Sequence, residues 1–166
     1  LKPDYMDAAS NLLVALLYLP GLDEDARFDA LSLLEQRYGS ACKVKREPFR
    51  NSRNGEKKLR IGYVSSDFRN HPVARNFEPL LQHHDRDRFE VYLYGNVEKT
   101  DETTERFKQA ADSWQNILGM SNEAVARKIR KDAIDILVLL AGRFDENRPL
   151  IAAYRAAPVQ ISLHDA

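Results

Sequence analysis

Residues 59–72 read LRIGYVSSDFRNHP, and this stretch decides the fold. Leu59 to Ser65 is rich in apolar and aromatic residues, the composition of a strand. Directly after it, Ser65 to His71 hold two hydroxyls, a carboxylate, a guanidinium, an amide and an imidazole. Pro72 fixes the backbone and suits the first position of a following helix.

From residue 59 onward, strand and helix patterns alternate. The spacing predicts a helix over 73–84, a strand over 88–94 (RFEVYLY), a polar helix over 101–111, a short strand over 114–118 and a helix over 121–131. The run IDILVLL, residues 134–140, reads as a strand buried on both faces. A helix over 146–155 and a strand over 159–163 complete the pattern. Such alternation argues for right-handed crossovers and an α/β, Rossmann-like parallel sheet, with strand order 3-2-1-4-5.

In such sheets ligands bind outside the carboxyl ends of the strands, where the strand order reverses. Here that point lies between strands 59–65 and 134–140. Three loops face it: Ser65 to Pro72, Ala141-Gly142-Arg143-Phe144-Asp145, and His164-Asp165-Ala166. From spacing alone two readings of the first loop stand open. In one, Asp67 and Asn70 cap backbone N–H groups and His71 packs. In the other, His71 lies beside the N–H groups of the next helix as an acid/base or phosphate-donating group, with Asp67 orienting it. Arg143 suits a phosphate or carboxylate, or pairs with Asp145 or Glu146. The loop after the first strand has no glycine, which argues against a dinucleotide cofactor, and the chain has no P-loop, G-x-S-x-G or H-E-x-x-H motif. His83-His84-Asp85, at a helix end, reads as surface. Glu123, Arg127 and Arg130 read as surface ion pairs on one helical face. Tyr63, Tyr92, Tyr94 and Trp114 read as core.

Upstream, residues 4–18 and 23–38 read as two helices. Asp23 can cap the second, and Phe28, Leu31, Leu34 and Tyr38 form its apolar stripe. The expected organisation is a helical segment over 1–39, a linker over 40–58 and the α/β domain over 59–166. Between Lys43 and Arg60 stand eight basic and two acidic side chains, read as a solvated linker in preference to a phosphate-contacting strip. Over the 166 residues, 25 basic and 25 acidic side chains balance, so a whole-domain footprint for nucleic acid is lacking. Cys42 is the single cysteine, which rules out an internal disulfide and favours the cytoplasm. No apolar run is long enough to span a bilayer, so no membrane partner is expected. The start at Leu1 and the stop after a strand-like run give the expectation of a piece of a longer protein.

Leu59 to Ala74 (LRIGYVSSDFRNHPVA) resembles the start of the catalytic region of the O-linked N-acetylglucosamine transferase and SPINDLY-like family, glycosyltransferase family 41. The likeness continues through HDRDRFEVYLYG (His84 to Gly95), KDAIDILVLLAG (Lys131 to Gly142) and RAAPVQIS (Arg155 to Ser162). Ser10 to Asp23 resembles the helices that join this family's tetratricopeptide repeats to its catalytic part.

The resemblance implies one lobe of a two-lobed GT-B glycosyltransferase. Its members transfer a sugar from a UDP-sugar to serine or threonine of a protein or peptide acceptor, with inversion and without a metal or other cofactor. The histidine of the family's D-F-x-x-H-P motif falls on His71, the implied catalytic position. Asp67, Arg69, Asn70, Gly142, Arg143 and His164 are the implied substrate-binding set. The main nucleotide-sugar contacts belong to a second lobe, so this chain alone is expected to be inactive. Leu139, Arg143, Phe144, Leu163, His164 and Asp165 depart from the family pattern. Those at Leu139, Arg143 and His164 motivate an alternative: a non-catalytic binding or scaffold module of the same fold.

Overall fold

The structure, a computed structural model, describes residues 11–12, 15–16, 18–34, 36, 48–141 and 146–163. The chain divides into two units, Leu1–Arg46 and Glu47–Ala166. In the first, residues 11, 12, 15 and 16 are helical and helix α1 spans Glu24–Leu34. Asp23 Oδ1 accepts the Ala26 N–H over 2.7 Å, the N-cap expected of it. Phe28, of the apolar stripe read along this helix, is 68% exposed. The side chains of Leu31, Leu34 and Tyr38, and most of the helix expected over 4–18, lie outside the described residues.

The second unit runs β1 (Leu59–Ser65), α2 (Pro72–Gln82), β2 (Phe89–Gly95), α3 (Glu102–Ala110), β3 (Ser113–Asn116), α4 (Asn122–Lys131), β4 (Ile136–Leu140), a 3₁₀ helix (Pro149–Tyr154) and β5 (Val159–Leu163). The strands are parallel in the order β3-β2-β1-β4-β5, as the alternation of elements predicts. β1 is central: Ile61 pairs with Val91 of β2 on one side and with Ile136 of β4 on the other.

The period-2 geometry of the strands sorts side chains into two cores. Ile61 and Tyr63 of β1, Val91 and Leu93 of β2, and Val138 and Leu140 of β4 pack under α2 and α3 through Phe77, Leu81 and Phe107. Val64, Tyr94, Leu137 and Leu139 face the other way, onto Val125 and Ile129 of α4 and Ile151 of the 3₁₀ helix. Glycine stands at two close approaches, and at Gly95 no side chain fits without a shift. A Cβ on Gly62 would stand 3.1 Å from both Ile134 and Tyr94, and one on Gly95 would stand 2.5 Å from the Trp114 ring.

Segment 48–58 is held at the amino-terminal ends of the strands by the Asp135 carboxylate and by the carbonyls of Ala133 and Ile134, which accept from Asn51 Nδ2. Asp135 accepts from Lys57 Nζ with both oxygens, each at 2.7 Å, from the Arg60 N–H over 3.0 Å and from Asn51 Nδ2 over 2.7 Å. Burial pushes this carboxyl up, but the Lys57 ammonium, the Arg60 N–H and the Asn51 amide outweigh it and hold it below the ordinary aspartate range. The basic residues read as a solvated strip thus include three with specific partners: Lys57 with Asp135, Lys58 with the Arg86 carbonyl and Arg60 with Glu90.

Two expected elements change. The helix expected over 146–155 is a 3₁₀ helix that begins only at Pro149, because residues 146–148 are drawn into contacts with other loops. It ends where Arg155 adopts φ +48°. The strand expected over 114–118 lies at Ser113–Asn116, followed by a turn with Gly119 at φ +75°. Among the described residues no helix is long and apolar enough to cross a membrane.

Candidate active site at the carboxyl ends of the strands

The loop after β1 is pulled inward by one aromatic residue. Phe68 is 1% exposed and contacts Phe77, Phe107 and Trp114, with ring centroids 5.5–5.8 Å apart. Burying Phe68 carries its neighbour Asp67 under the surface, and the chain turns back sharply through Arg69 N–H to Asp67 C=O, 2.7 Å. Asp67 is 1% exposed, so its carboxylate needs partners. Ser66 Oγ donates to Oδ1 over 3.1 Å, and Asn147 Nδ2 donates to Oδ2 over 2.9 Å. Ser65 Oγ lies 3.5 Å from Oδ2, while accepting the Asp67 N–H over 2.9 Å. The Arg69 guanidinium stands 3.9 Å from Oδ1.

His71 is the N-cap of α2. Its backbone is extended, Pro72 opens the helix, and the Val73 N–H donates to its Nδ1 over 3.3 Å. The same Nδ1 lies 3.6 Å from Asp67 Oδ1. Both open readings of the sequence therefore meet in one side chain: His71 caps the helix, and it also faces the buried carboxylate with its side chain 24% exposed.

The loop is braced from outside by the start of α3. Asp101 Oδ2 accepts the Asn70 N–H over 2.7 Å, Asp101 Oδ1 caps α3 through the Thr104 N–H, and Thr104 Oγ1 donates to Phe68 C=O over 2.7 Å. What burial adds to the Asp101 carboxyl is outweighed by N–H donors from Asn70, Thr104 and Thr103 and by the Thr104 hydroxyl, which hold it below its usual range.

Three consecutive residues before the 3₁₀ helix join the remaining loops. Asn96 Nδ2, after β2, donates to Glu146 C=O over 2.9 Å. Asn147 Oδ1 accepts the Ser66 N–H over 2.9 Å, after β1. The Arg148 guanidinium reaches Asn122 Oδ1 and the carbonyls of Ile117 and Met120, after β3, at 2.6–3.2 Å. Burial lowers the Arg148 pKa, and these contacts are neutral oxygens. Sequence reasoning missed Asn147 and Arg148. The only available signal was their place just beyond the switch-point strand.

Of the residues singled out by sequence, the structure groups Asp67, Arg69 and His71 around one carboxylate. Asn70 instead points outward, its Oδ1 accepting from Arg75 over 3.2 Å. Gly142, Arg143 and His164 lie outside the described residues. Leu139, one of the departures from the family pattern, is buried in the core beside Val64. His84, read as surface, is half-buried, with Nε2 2.8 Å from the Tyr63 hydroxyl. Arg127 does pair with Glu123 over 2.8 Å, but Arg130 turns to the carbonyls of Tyr154 and Arg155 and lies over the Phe49 ring. Among the described residues no three His, Cys, Asp or Glu side chains come together as a metal-binding group.

Comparison with known proteins gives this geometry a family. Residues 34–164 match the model of glycosyl transferase family 41. The chain is 34% identical to a probable UDP-N-acetylglucosamine–peptide N-acetylglucosaminyltransferase SPINDLY of Arabidopsis thaliana, over 98% of this chain and 18% of that protein. It is 32% identical to the Petunia hybrida SPINDLY, with the same coverage. A solved mutant O-GlcNAc transferase of Thermobaculum terrenum superposes with a TM-score of 0.86 at 36% identity, covering 99% of this chain and 32% of that one. The chain thus spans less than a fifth of the curated relatives' length. The match over residues 34–164, with relatives more than 30% identical along 98% of the chain, places the chain in glycosyltransferase family 41, among the O-GlcNAc transferase and SPINDLY-like proteins.

Proposed function

We propose that residues 59–166 are the N-terminal catalytic lobe of an inverting, metal-independent glycosyltransferase that moves a sugar from a UDP-sugar to serine or threonine of a protein or peptide. Residues 1–39 are the end of a tetratricopeptide-like region and 40–58 the linker. The observation that carries this is the Asp67–His71 pair, 3.6 Å apart at the carboxyl end of the central strand, in a family whose named relatives are peptide N-acetylglucosaminyltransferases. His71 is the group that takes or gives a proton or orients the reacting hydroxyl. Substrate binding falls to Arg69, Asn70, Gly142, Arg143 and His164, with Asp67 holding His71 in place. The principal donor contacts lie in a second lobe, and this chain alone does not turn over substrate. The single cysteine fits a cytoplasmic setting.

The test is transfer from a UDP-sugar to a serine-containing peptide by the longer protein that carries this lobe. His71→Ala should lower kcat/KM by on the order of 10²-fold or more. Wild-type rates in that variant would remove His71 from the reaction.

A second reading, a binding or scaffold module without catalysis, is favoured by Leu139, which puts an apolar side chain into the core at the end of the switch-point strand. Calorimetry of the longer protein with UDP and UDP-sugars separates the two: heat of binding at micromolar concentration supports the transferase, and its absence supports the scaffold.

A further inference from the structure

We infer that Asn147 is a positioning residue of the site: acting through Asp67, its amide sets which ring nitrogen of His71 carries the proton. The catalytic meaning of this rests on the reading of His71 given above; the proton placement itself does not.

The orientation of the Asn147 amide is forced. The Ser66 backbone N–H can only donate, so the atom 2.9 Å from it must be the acceptor Oδ1. The NH₂ group then has to face Asp67, where it donates to Oδ2 over 2.9 Å. With Oδ2 held by Asn147, the other oxygen of the carboxylate is turned toward Ser66 Oγ, at 3.1 Å, and His71 Nδ1, at 3.6 Å.

His71 Nδ1 is contested by two neighbours with opposite requirements. The Val73 N–H, 3.3 Å away, needs a lone pair there. The Asp67 carboxylate favours a proton there. When Nδ1 is bare, the neutral ring carries its proton on Nε2, which is then a donor. When Nδ1–H faces Asp67, Nε2 has the lone pair and can accept a proton from a substrate hydroxyl. The exchange is proton-neutral: one proton leaves Nε2 for water and one is taken up at Nδ1. Val73 is fixed by its helix. The position of the Asp67 carboxylate weighs on the balance at Nδ1, and Asn147 fixes that position from a loop beyond β4.

The experiment is nitrogen-15 NMR of the His71 ring in the 166-residue chain at mildly alkaline pH, where the two tautomers have separable nitrogen shifts. Asp67→Asn should move the ring toward the Nε2–H form, and Asn147→Ala should move it most of the way to the same position. The exchanged pair, Asp67→Asn with Asn147→Asp, restores a donor facing an acceptor. It should recover the melting temperature lost in Asn147→Asp alone, yet leave the His71 signals where Asp67→Asn puts them. Wild-type His71 signals in Asn147→Ala, or their return in the exchanged pair, would overturn the inference. Asn147→Ser substitutes for Asn147→Ala if the latter does not fold; if neither folds, Asn147 is a structural residue and the inference fails. Sugar transfer is not read at any point, so failure of the transferase reading and failure of this one are distinguishable.

Discussion

Asp101 accepts the Asn70 N–H over 2.7 Å with one carboxylate oxygen, while its other oxygen accepts the Thr104 N–H over 2.9 Å. One side chain thus closes the start of α3 and holds the far side of the loop that carries His71. Asp101→Ala should cost about 1–2 kcal/mol, the usual loss for an N-cap. Asp101→Asn should retain most of that stability. Urea melts measure both, and amide exchange at Asn70 should quicken in the alanine variant.

His71 has a structural task and a chemical one, and substitution can part them. Asparagine is a good N-cap, so His71→Asn should melt close to wild type, whereas His71→Ala should lose about 1 kcal/mol. Both should lower kcat/KM for sugar transfer in the longer protein by on the order of 10²-fold or more. Equal melting of the two variants would show that the Val73 contact contributes nothing to α2.

Acid should act on this fold in two stages. Burial and the Arg86 charge, opposed by Asp112, lower the His84 pKa below 6.5. The unfolded chain therefore binds that proton first, so the His84 contribution is present above pH 6.5 and is lost as pH falls below it. Asp101 and Asp135 are both held below 3.8 in the folded state. Their contribution is present above that value and is lost as pH falls further, through their folded pKa values. Denaturant melts across the range should show both steps, and His84→Gln should remove only the first.

Gly95 ends β2 against the Trp114 ring, with no room for a methyl group. Gly95→Ala should destabilise the domain by about 1–3 kcal/mol through overpacking. Tryptophan fluorescence should shift with it, because the ring is what must move. A neutral substitution with unchanged fluorescence would contradict the packing described.

The sheet was legible because its information is local. LRIGYVS and IDILVLL announce buried strands by composition, and the helices between them set the crossovers and hence the order β3-β2-β1-β4-β5. The polar loop from Ser65 to His71 was legible for the same reason, since it follows the central strand directly. Asn147 and Arg148 were not. An asparagine and an arginine ahead of a proline look like any helix entry, and what gives them meaning lies far along the chain: 80 residues to Asp67, 28 to Met120. The same distant contacts turned an expected helix over 146–155 into a short 3₁₀ turn. His84 was misread because its partner, Tyr63, is on the neighbouring strand, where a helix-end histidine next to an aspartate gives no hint of it.

The tripeptide Glu146–Asn147–Arg148 also sets an order of events in folding. Its ties to Asn96 and Asp67 close loops of 50 and 80 residues, and contacts of such separation are entropically late. On a ribosome, the Asp67 loop emerges long before the asparagine that anchors it. Until β4 has docked and residues 146–148 have followed, that carboxylate has no amide partner and stays hydrated. The Asp67–His71 site therefore acquires its geometry late during synthesis, only after β4 is in place, and loses it when residues 146–148 come loose.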